Sequence, residues 1–227
     1  MKRLILAAIF VAGSTFSTQA DTAFVSVTGE GRVEMVPDMA IVSLGVTHQR
    51  PTAGAAMNTV AKATRAIFSE LDDFAIDAKD IQTTGLNLHP VYDRRNNSGQ
   101  PPKIVGFSGN TTLTIVVRDL DKIGGLLDEI VDVGANRLQG ISFDISDKSD
   151  ALTKARIAAV NDAKAKAATM AEAAGAKLGR VLELSESGPS FNQGPMIRAE
   201  MAMADAMPIA AGSQSLLVQV WSKFELN

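Results

Sequence analysis

An alternating pattern of apolar and polar residues organises positions 24–46. Between residues 25 and 35, odd positions carry valine, glycine or methionine, and even positions carry serine, threonine, glutamate or arginine. This period of two is typical of a strand with one face in water. A second, less regular run covers residues 41–46, after Pro37 and Asp38, which are turn residues. The pattern predicts an antiparallel hairpin over residues 24–46.

Three later segments repeat apolar residues every three or four positions, which is the spacing of an amphipathic helix. They cover Thr52 to Phe74, Ile123 to Val131 and Asp150 to Ala174. Asp119 or Asp121 is expected to cap the second helix. Alanine dominates the apolar stripe of the third helix, and such small side chains allow close packing on a sheet.

Two extended segments, residues 81–92 and 103–117, flank a polar loop at residues 93–102 and predict a second hairpin. Further strands are predicted at residues 138–146, 180–186 and 213–226. The order is β-β-α-β-β-α-β-α-β-β. It predicts an α+β fold in which an antiparallel sheet of two hairpins plus further strands packs against amphipathic helices.

The first 20 residues have the form of a secretory signal. Lys2 and Arg3 precede an apolar run too short to span a membrane, and small residues lead to Ala20, after which cleavage is expected. Residues 21–227 are predicted to form one exported domain with a net charge of about −5. An acidic chain is a poor candidate for nucleic acid binding, and no later stretch predicts a transmembrane helix.

Candidate catalytic chemistry is sparse. The sequence contains no cysteine, which excludes disulfides, thiolate nucleophiles and thiolate metal sites. His48 and His89 are too few for a typical zinc site. Gly106 to Gly109 resembles a nucleophile elbow but lacks its final glycine and is predicted to be extended. Gly29 and Gly31 lack the third glycine and the helix of a dinucleotide loop, so they indicate a bulge or a close backbone approach.

These observations predict no catalytic residue and no cofactor. The compositional exception is a cluster of four methionines, Met196, Met201, Met203 and Met207. Met201-Ala202-Met203 has the Met-x-Met pattern of periplasmic copper handling, because thioethers are soft ligands for Cu(I). We favour the alternative that these adaptable side chains pack over an apolar surface or a neighbouring subunit. Sacrificial oxidation to the sulfoxide is a third interpretation.

Four separated motifs resemble the SIMPL domain family, and in particular its bacterial periplasmic immunogenic proteins. They are Val27 to Val33 with Pro37-Asp38, Asp80 to Leu86 leading to Pro90-Val91-Tyr92, Gly134-Ala135-Asn136 before Gly140-Ile141 and Phe143, and Ala174 to Leu182. The resemblance covers essentially the whole chain after the signal segment. It implies an exported protein of the cell envelope that forms large, ring-shaped homo-oligomers and has an association with oxidative stress. It implies no catalytic residues.

The sequence therefore leads to the hypothesis of a non-enzymatic periplasmic protein that forms a homo-oligomer, is protective under oxidative stress and is peripherally associated with the outer membrane. The alternative is a periplasmic Cu(I) or redox-protective binding protein that uses the methionine cluster. The expected assembly surfaces are the edges of the terminal strands at residues 24–35 and 213–226, or the methionine-rich segment, because an unpaired edge offers backbone donors and acceptors to a second copy.

Overall fold

The computed structural model describes residues 23–93, 101–193 and 209–227. Within them, the strands are Phe24–Met35 (β1), Met39–Arg50 (β2), Ile81–Tyr92 (β3), Ile104–Val117 (β4), Arg137–Asp144 (β5), Leu178–Glu186 (β6), Ser190–Gln193 (β7) and Gln214–Leu226 (β8). The α-helices are Ala53–Asp73 (α1), Ile123–Asp132 (α2) and Ser149–Ala173 (α3). The α+β class and the predicted order of elements are confirmed, with β7 as an additional short strand.

The strands form two antiparallel sheets instead of one. Sheet A has the order β1-β8-β6, and β7 also pairs with β8. Sheet B has the order β3-β4-β2-β5, so the predicted second hairpin is its β3–β4 pair.

The predicted hairpin over residues 24–46 is wrong. β1 pairs along its whole length with β8, while β2 lies between β4 and β5 in the other sheet. The connection between them is held by Asp38, whose carboxylate accepts hydrogen bonds from the backbone N–H and the hydroxyl of Ser146, at 2.8 and 2.6 Å. Buried Pro37 precedes it. The chain thus crosses from sheet A to sheet B between β1 and β2, because each of these strands pairs with strands that are distant in sequence.

Sheet B packs α1 and α2 on one side, which we call the helix face. Large aliphatic side chains fill this layer, and the fully buried ones include Val42, Leu44, Val46, Val60, Ile67, Leu71, Leu113, Ile115, Leu126 and Ile130. Cross-strand hydrogen bonds between uncharged side chains cover the opposite, open face, for example from Asn87 to Asn110 at 3.3 Å and from Gln139 to Thr112 at 3.0 Å. One face is therefore an aliphatic core and the other a polar surface.

The start of α2 differs from the prediction. A 3₁₀ turn, Leu120–Lys122, leads directly into the helix, and neither Asp119 nor Asp121 caps it with its side chain. Asp119 instead forms an ion pair with Lys122 at 3.2 Å. The 3₁₀ turn runs directly into α2, so its backbone takes the place that a side-chain cap would occupy.

Sheet A is covered by α3 at very short range. A Cβ atom built on Gly29 would overlap the backbone carbonyl oxygen of Ala159, and one built on Gly31 would overlap that of Ala155. The facing helix stripe is buried and consists of Ala155, Ala159, Ala163, Ala167 and Ala171. β1 keeps a continuous register with β8. The two glycines therefore serve a close backbone approach and not a bulge.

Candidate assembly interface

The edge of the last strand is not available for assembly, contrary to the prediction. β8 lies inside sheet A, with β1 along one side and β6 and β7 along the other. Its alternating residues Leu216, Val218 and Val220 are buried beneath α3. The apolar alternation of β8, which suggested an interface, therefore reflects its position at the centre of sheet A.

The edge of β1 is occupied by side chains of α3. The carboxylate of Asp162 accepts a hydrogen bond from the backbone N–H of Glu30 at 2.8 Å, and the Lys166 ammonium donates to the carbonyl of Thr28 at 3.1 Å. Asp162 and Lys166 also form an ion pair at 2.7 Å. Lys166 and the Glu30 N–H hold the pKa of Asp162 below its usual range. Two backbone groups that a second copy would need are thus already satisfied.

The opposite edge of sheet A, β6, is protected by charge and irregularity. It carries Arg180, Glu183 and Glu186 and has two register shifts against β8. Glu186 pairs with Arg156 of α3 at 2.9 Å. Charged side chains and bulges are common devices that prevent edge-to-edge association.

The edge of β3 in sheet B lacks charged residues. Residues 81–92 contain no Asp, Glu, Lys or Arg, although they include Pro90 and their pairing with β4 has two register shifts. Leu86 and Leu88 are 61% and 40% exposed. They lie opposite Thr111 and Gly109 of β4, on the helix face. Because α1 packs mainly over β4 and β2, these leucines remain exposed. No strand among the described residues pairs with the outer edge of β3.

The other edge of sheet B, β5, borders an apolar pocket of about 540 Å³ between this strand and α2. Its apolar lining includes Leu44, Leu127, Ile130, Val131 and Leu138. Val131 and Leu138 are 59% and 51% exposed. The lining also contains Asp128, Asp132 and Arg137. Sequence reasoning missed this site, since its residues come from β2, α2 and β5 and alternate with ordinary core positions.

The residues considered for catalysis are not brought together. His48 lies opposite Gly109, on the helix face of sheet B, whereas His89 lies opposite Ser108, on the open face. Gly106 to Gly109 forms part of the continuous strand β4, so it provides no strand-to-helix turn for a nucleophile. Among the described residues, no group of three or more His, Cys, Asp or Glu side chains is placed to hold a metal ion.

The four methionines considered for Cu(I), Met196, Met201, Met203 and Met207, lie outside the described residues, as does the signal segment. Their roles remain predictions from the sequence. Across residues 23–93, 101–193 and 209–227, no helix has the length and apolar character needed to cross a bilayer.

Comparison with known proteins gives the family. Residues 25–224 match the model of the SIMPL family, described as a protein of unknown function (DUF541). The chain is 38% identical over 212 residues to the 26 kDa periplasmic immunogenic protein of Brucella melitensis, and the match covers 89% of this chain and 84% of the relative. It is 28% identical over 184 residues to the uncharacterized protein YggE of Escherichia coli K12, covering 81% and 73% of the two chains. The chain therefore belongs to the SIMPL family.

Proposed function

We propose that this chain is a non-enzymatic periplasmic protein that assembles with copies of itself through the edges of sheet B. The observation that carries the proposal is the β3 edge, which combines an outer side without a partner strand in the described part of the chain, no formal charge and two exposed leucines. The periplasmic location is supported by the signal-like first 20 residues and by the names of two Brucella relatives. Protection under oxidative stress and peripheral outer-membrane association rest on the family resemblance alone.

The energetics favour an interface that uses side chains as well as backbone. Complete burial of one leucine contributes about 1.5–3 kcal/mol. Association costs at least about 4 kcal/mol in lost translational and rotational freedom. Because Leu86 and Leu88 are already partly buried, their further burial together contributes about 1.5–3 kcal/mol, which is less than this minimum cost, so backbone pairing along β3 has to supply the rest. The β6 edge of sheet A also exposes Val181, Leu182 and Leu184, but the charged residues of this strand oppose edge-to-edge pairing.

The test is the native mass of the chain expressed from Asp21, measured by size-exclusion chromatography with light scattering. We expect a discrete multimer, and the variant Leu86→Asp/Leu88→Asp is expected to be monomeric, because charged side chains there resist burial. Val181→Asp/Leu184→Asp is the matched control, since these residues of β6 are similarly exposed, at 53% and 52%. A monomeric native chain contradicts the proposal, and so does a multimer that survives the β3 substitutions.

The Cu(I) hypothesis is the second candidate function, and four methionines within twelve residues favour it. Replacement of Met196, Met201, Met203 and Met207 by leucine is expected to abolish Cu(I) binding in a competition titration while leaving the far-ultraviolet circular dichroism unchanged. Undiminished copper affinity in this variant would exclude the methionine cluster as the ligand set.

A further inference from the structure

We infer that the outer face of sheet A, which is the face turned away from α3, binds neutral pyranose sugars of a glycan chain through Trp221. The inference goes beyond the proposed self-assembly and is independent of it, because it concerns the other sheet. Trp221 is the only tryptophan of the chain and lies on β8, the central strand of sheet A.

Trp221 is partly exposed at the centre of this outer face. The flanking residues Val220 and Ser222 are buried beneath α3, so the alternation of the strand turns Trp221 to the other side. Its cross-strand neighbours are Thr28 of β1 and Ser185 of β6, and both are exposed. Because these two residues are small, they border the indole with hydroxyl groups and leave room for a ligand above it.

The polar atom of the indole is available to a ligand. Within residues 23–93, 101–193 and 209–227, the Nε1–H of Trp221 donates no hydrogen bond to a protein group. A tryptophan combines a large apolar ring with one donor, so it suits a ligand that has apolar and polar groups side by side. A pyranose has this character, because its ring presents C–H groups on one face and hydroxyl groups around its edge.

Polar groups lie on both sides of Trp221 along β8. Gln219 and Lys223 share its face, each about 7 Å away along the strand. The Nε2 of Gln219 donates a hydrogen bond to Glu30 Oε1 at 3.0 Å, and the Lys223 ammonium lies 3.7 Å from the centre of the Phe24 ring. These contacts hold the side chains in place, so a ligand loses less free energy in ordering them. The bond between Gln219 and Glu30 uses one amide hydrogen and one carboxylate oxygen, so the pair still offers a donor and acceptors to sugar hydroxyls.

The charges of the outer face favour a neutral ligand. Arg180 pairs with Glu225 at 3.0 Å, and Lys223 lies opposite Glu183. Acidic and basic side chains thus lie next to each other and offset one another. A phosphate-rich ligand would need concentrated positive charge, which this face lacks. One aromatic platform, fixed polar side chains and balanced charge together match an uncharged molecule with many hydroxyl groups.

The single tryptophan makes a fluorescence test specific to this site. The chain expressed from Asp21 is titrated with cellotetraose, maltotetraose and tetra-N-acetylchitotetraose while the emission of Trp221 is recorded. We expect a saturable change of the emission with at least one probe, because a stacked sugar displaces water from the indole. A preference for the N-acetylated probe would identify an amino-sugar glycan as the ligand, and a preference for either other probe a glucose polymer. The absence of a saturable change with all three would overturn the inference.

A blocking variant tests the location of the site. Thr28→Arg places a guanidinium beside Trp221, where it stacks on the indole and excludes the sugar. We expect binding to weaken by at least about tenfold. The matched control is Glu34→Arg, which introduces the same side chain on the same face of β1, about 20 Å further along the strand. Its affinity is expected to equal that of the native chain, and equal affinities of the two variants would overturn the inference.

A second pair of variants decides the question if circular dichroism shows that Thr28→Arg does not fold. Gln219→Ala removes one polar side chain and keeps Trp221 as the reporter, so we expect binding to weaken about two- to tenfold. Gln49→Ala, at an exposed glutamine of β2 in sheet B, is the control and is expected to bind as the native chain does. Undiminished binding by Gln219→Ala would then overturn the inference. A monomeric chain that binds sugar would contradict only the proposed self-assembly, and a multimer that binds none would contradict only this inference.

Discussion

Sheet A and sheet B bury their apolar faces in opposite ways. Sheet B separates its strands from α1 and α2 with a thick layer of leucine, isoleucine and valine. Sheet A brings α3 so close that two glycines of β1 face the alanine stripe directly. In the first layer, stability comes chiefly from the apolar area that large side chains remove from water. In the second, it depends on the fit between two backbones.

The two sheets also differ in how their outer strands are protected. Side chains of α3 occupy the β1 edge, and charged residues line β6. Sheet B leaves β3 uncharged and β5 beside an open pocket. The helix α3 thus both covers sheet A and occupies its β1 edge. Two helices cover sheet B, and among the described residues no strand pairs with the outer side of β3 or β5. This contrast is the reason why the proposed self-assembly is assigned to sheet B.

The largest expected effect breaks the close packing of sheet A. Gly31→Val is expected to lower the free energy of unfolding by about 4 kcal/mol or more, because the new side chain meets the backbone of α3. Urea denaturation measures the change. The control is Gly54→Ala in α1, where open space surrounds the position. There we expect a stabilisation of about 0.5–1 kcal/mol. Similar unfolding free energies for the Gly31 and Gly54 variants would contradict the close packing of β1 against α3.

A smaller effect is expected when the β1 edge is opened. Asp162→Ala removes the acceptor of the Glu30 N–H, so exchange of this amide with solvent deuterium should become faster at neutral pH. The pKa of Asp162 is lowered in the folded chain. Its contribution is therefore present above the unfolded pKa of about 4 and is lost as pH falls through the folded value.

The difference between variant and native exchange should accordingly shrink on acidification, after correction for the intrinsic rate. Lys62→Ala, at an exposed position of α1, serves as a charge control. An unchanged Glu30 exchange rate in Asp162→Ala at neutral pH would show that α3 does not protect the edge.

The smallest effect compares two buried hydroxyls. Ser222 of β8 is fully buried beneath α3, and its hydroxyl has no hydrogen-bond partner among the described residues. Thr111 of β4 is also buried, but it donates to the carbonyl of Gly85 at 3.1 Å. Ser222→Ala should stabilise the fold by up to about 1 kcal/mol, and Thr111→Val should destabilise it by about 1 kcal/mol. Thermal unfolding measures both, and the same sign for the two would refute this account.

The sequence predicts local structure here better than it predicts pairing. Alternation and helical spacing locate the elements because each depends on nearby residues. The partner of β1, however, is β8, a strand almost two hundred residues away. The alternation of β1 is compatible with pairing to β2 or to β8. Gly29 and Gly31 did indicate a close approach. The hydrogen bonds of Asp162 and Lys166 to the backbone of β1 could not be predicted, because charged residues are common on the exposed side of any helix.

The candidate interface was only partly predictable for the same reason. An uncharged strand with alternating leucines is visible at residues 81–92, but alternation alone does not say whether a helix covers it. The pocket requires α2 and β5 to meet at the end of a sheet. The sequence instead suggested the edges of the two terminal strands or the methionine-rich segment. The regular alternation of β8, one of these strands, reflects its position at the centre of sheet A.

The contact between β1 and α3 also limits how the protein can evolve. Substitutions at Gly29 or Gly31 would collide first with main-chain atoms of the helix. No smaller side chain on α3 can compensate, because the carbonyl groups of Ala155 and Ala159 remain whatever residue occupies those positions. A second mutation at a single facing site therefore cannot rescue the first. A larger residue at either position would require α3 to move as a whole. We therefore expect Gly29 and Gly31 not to covary with any single residue of α3.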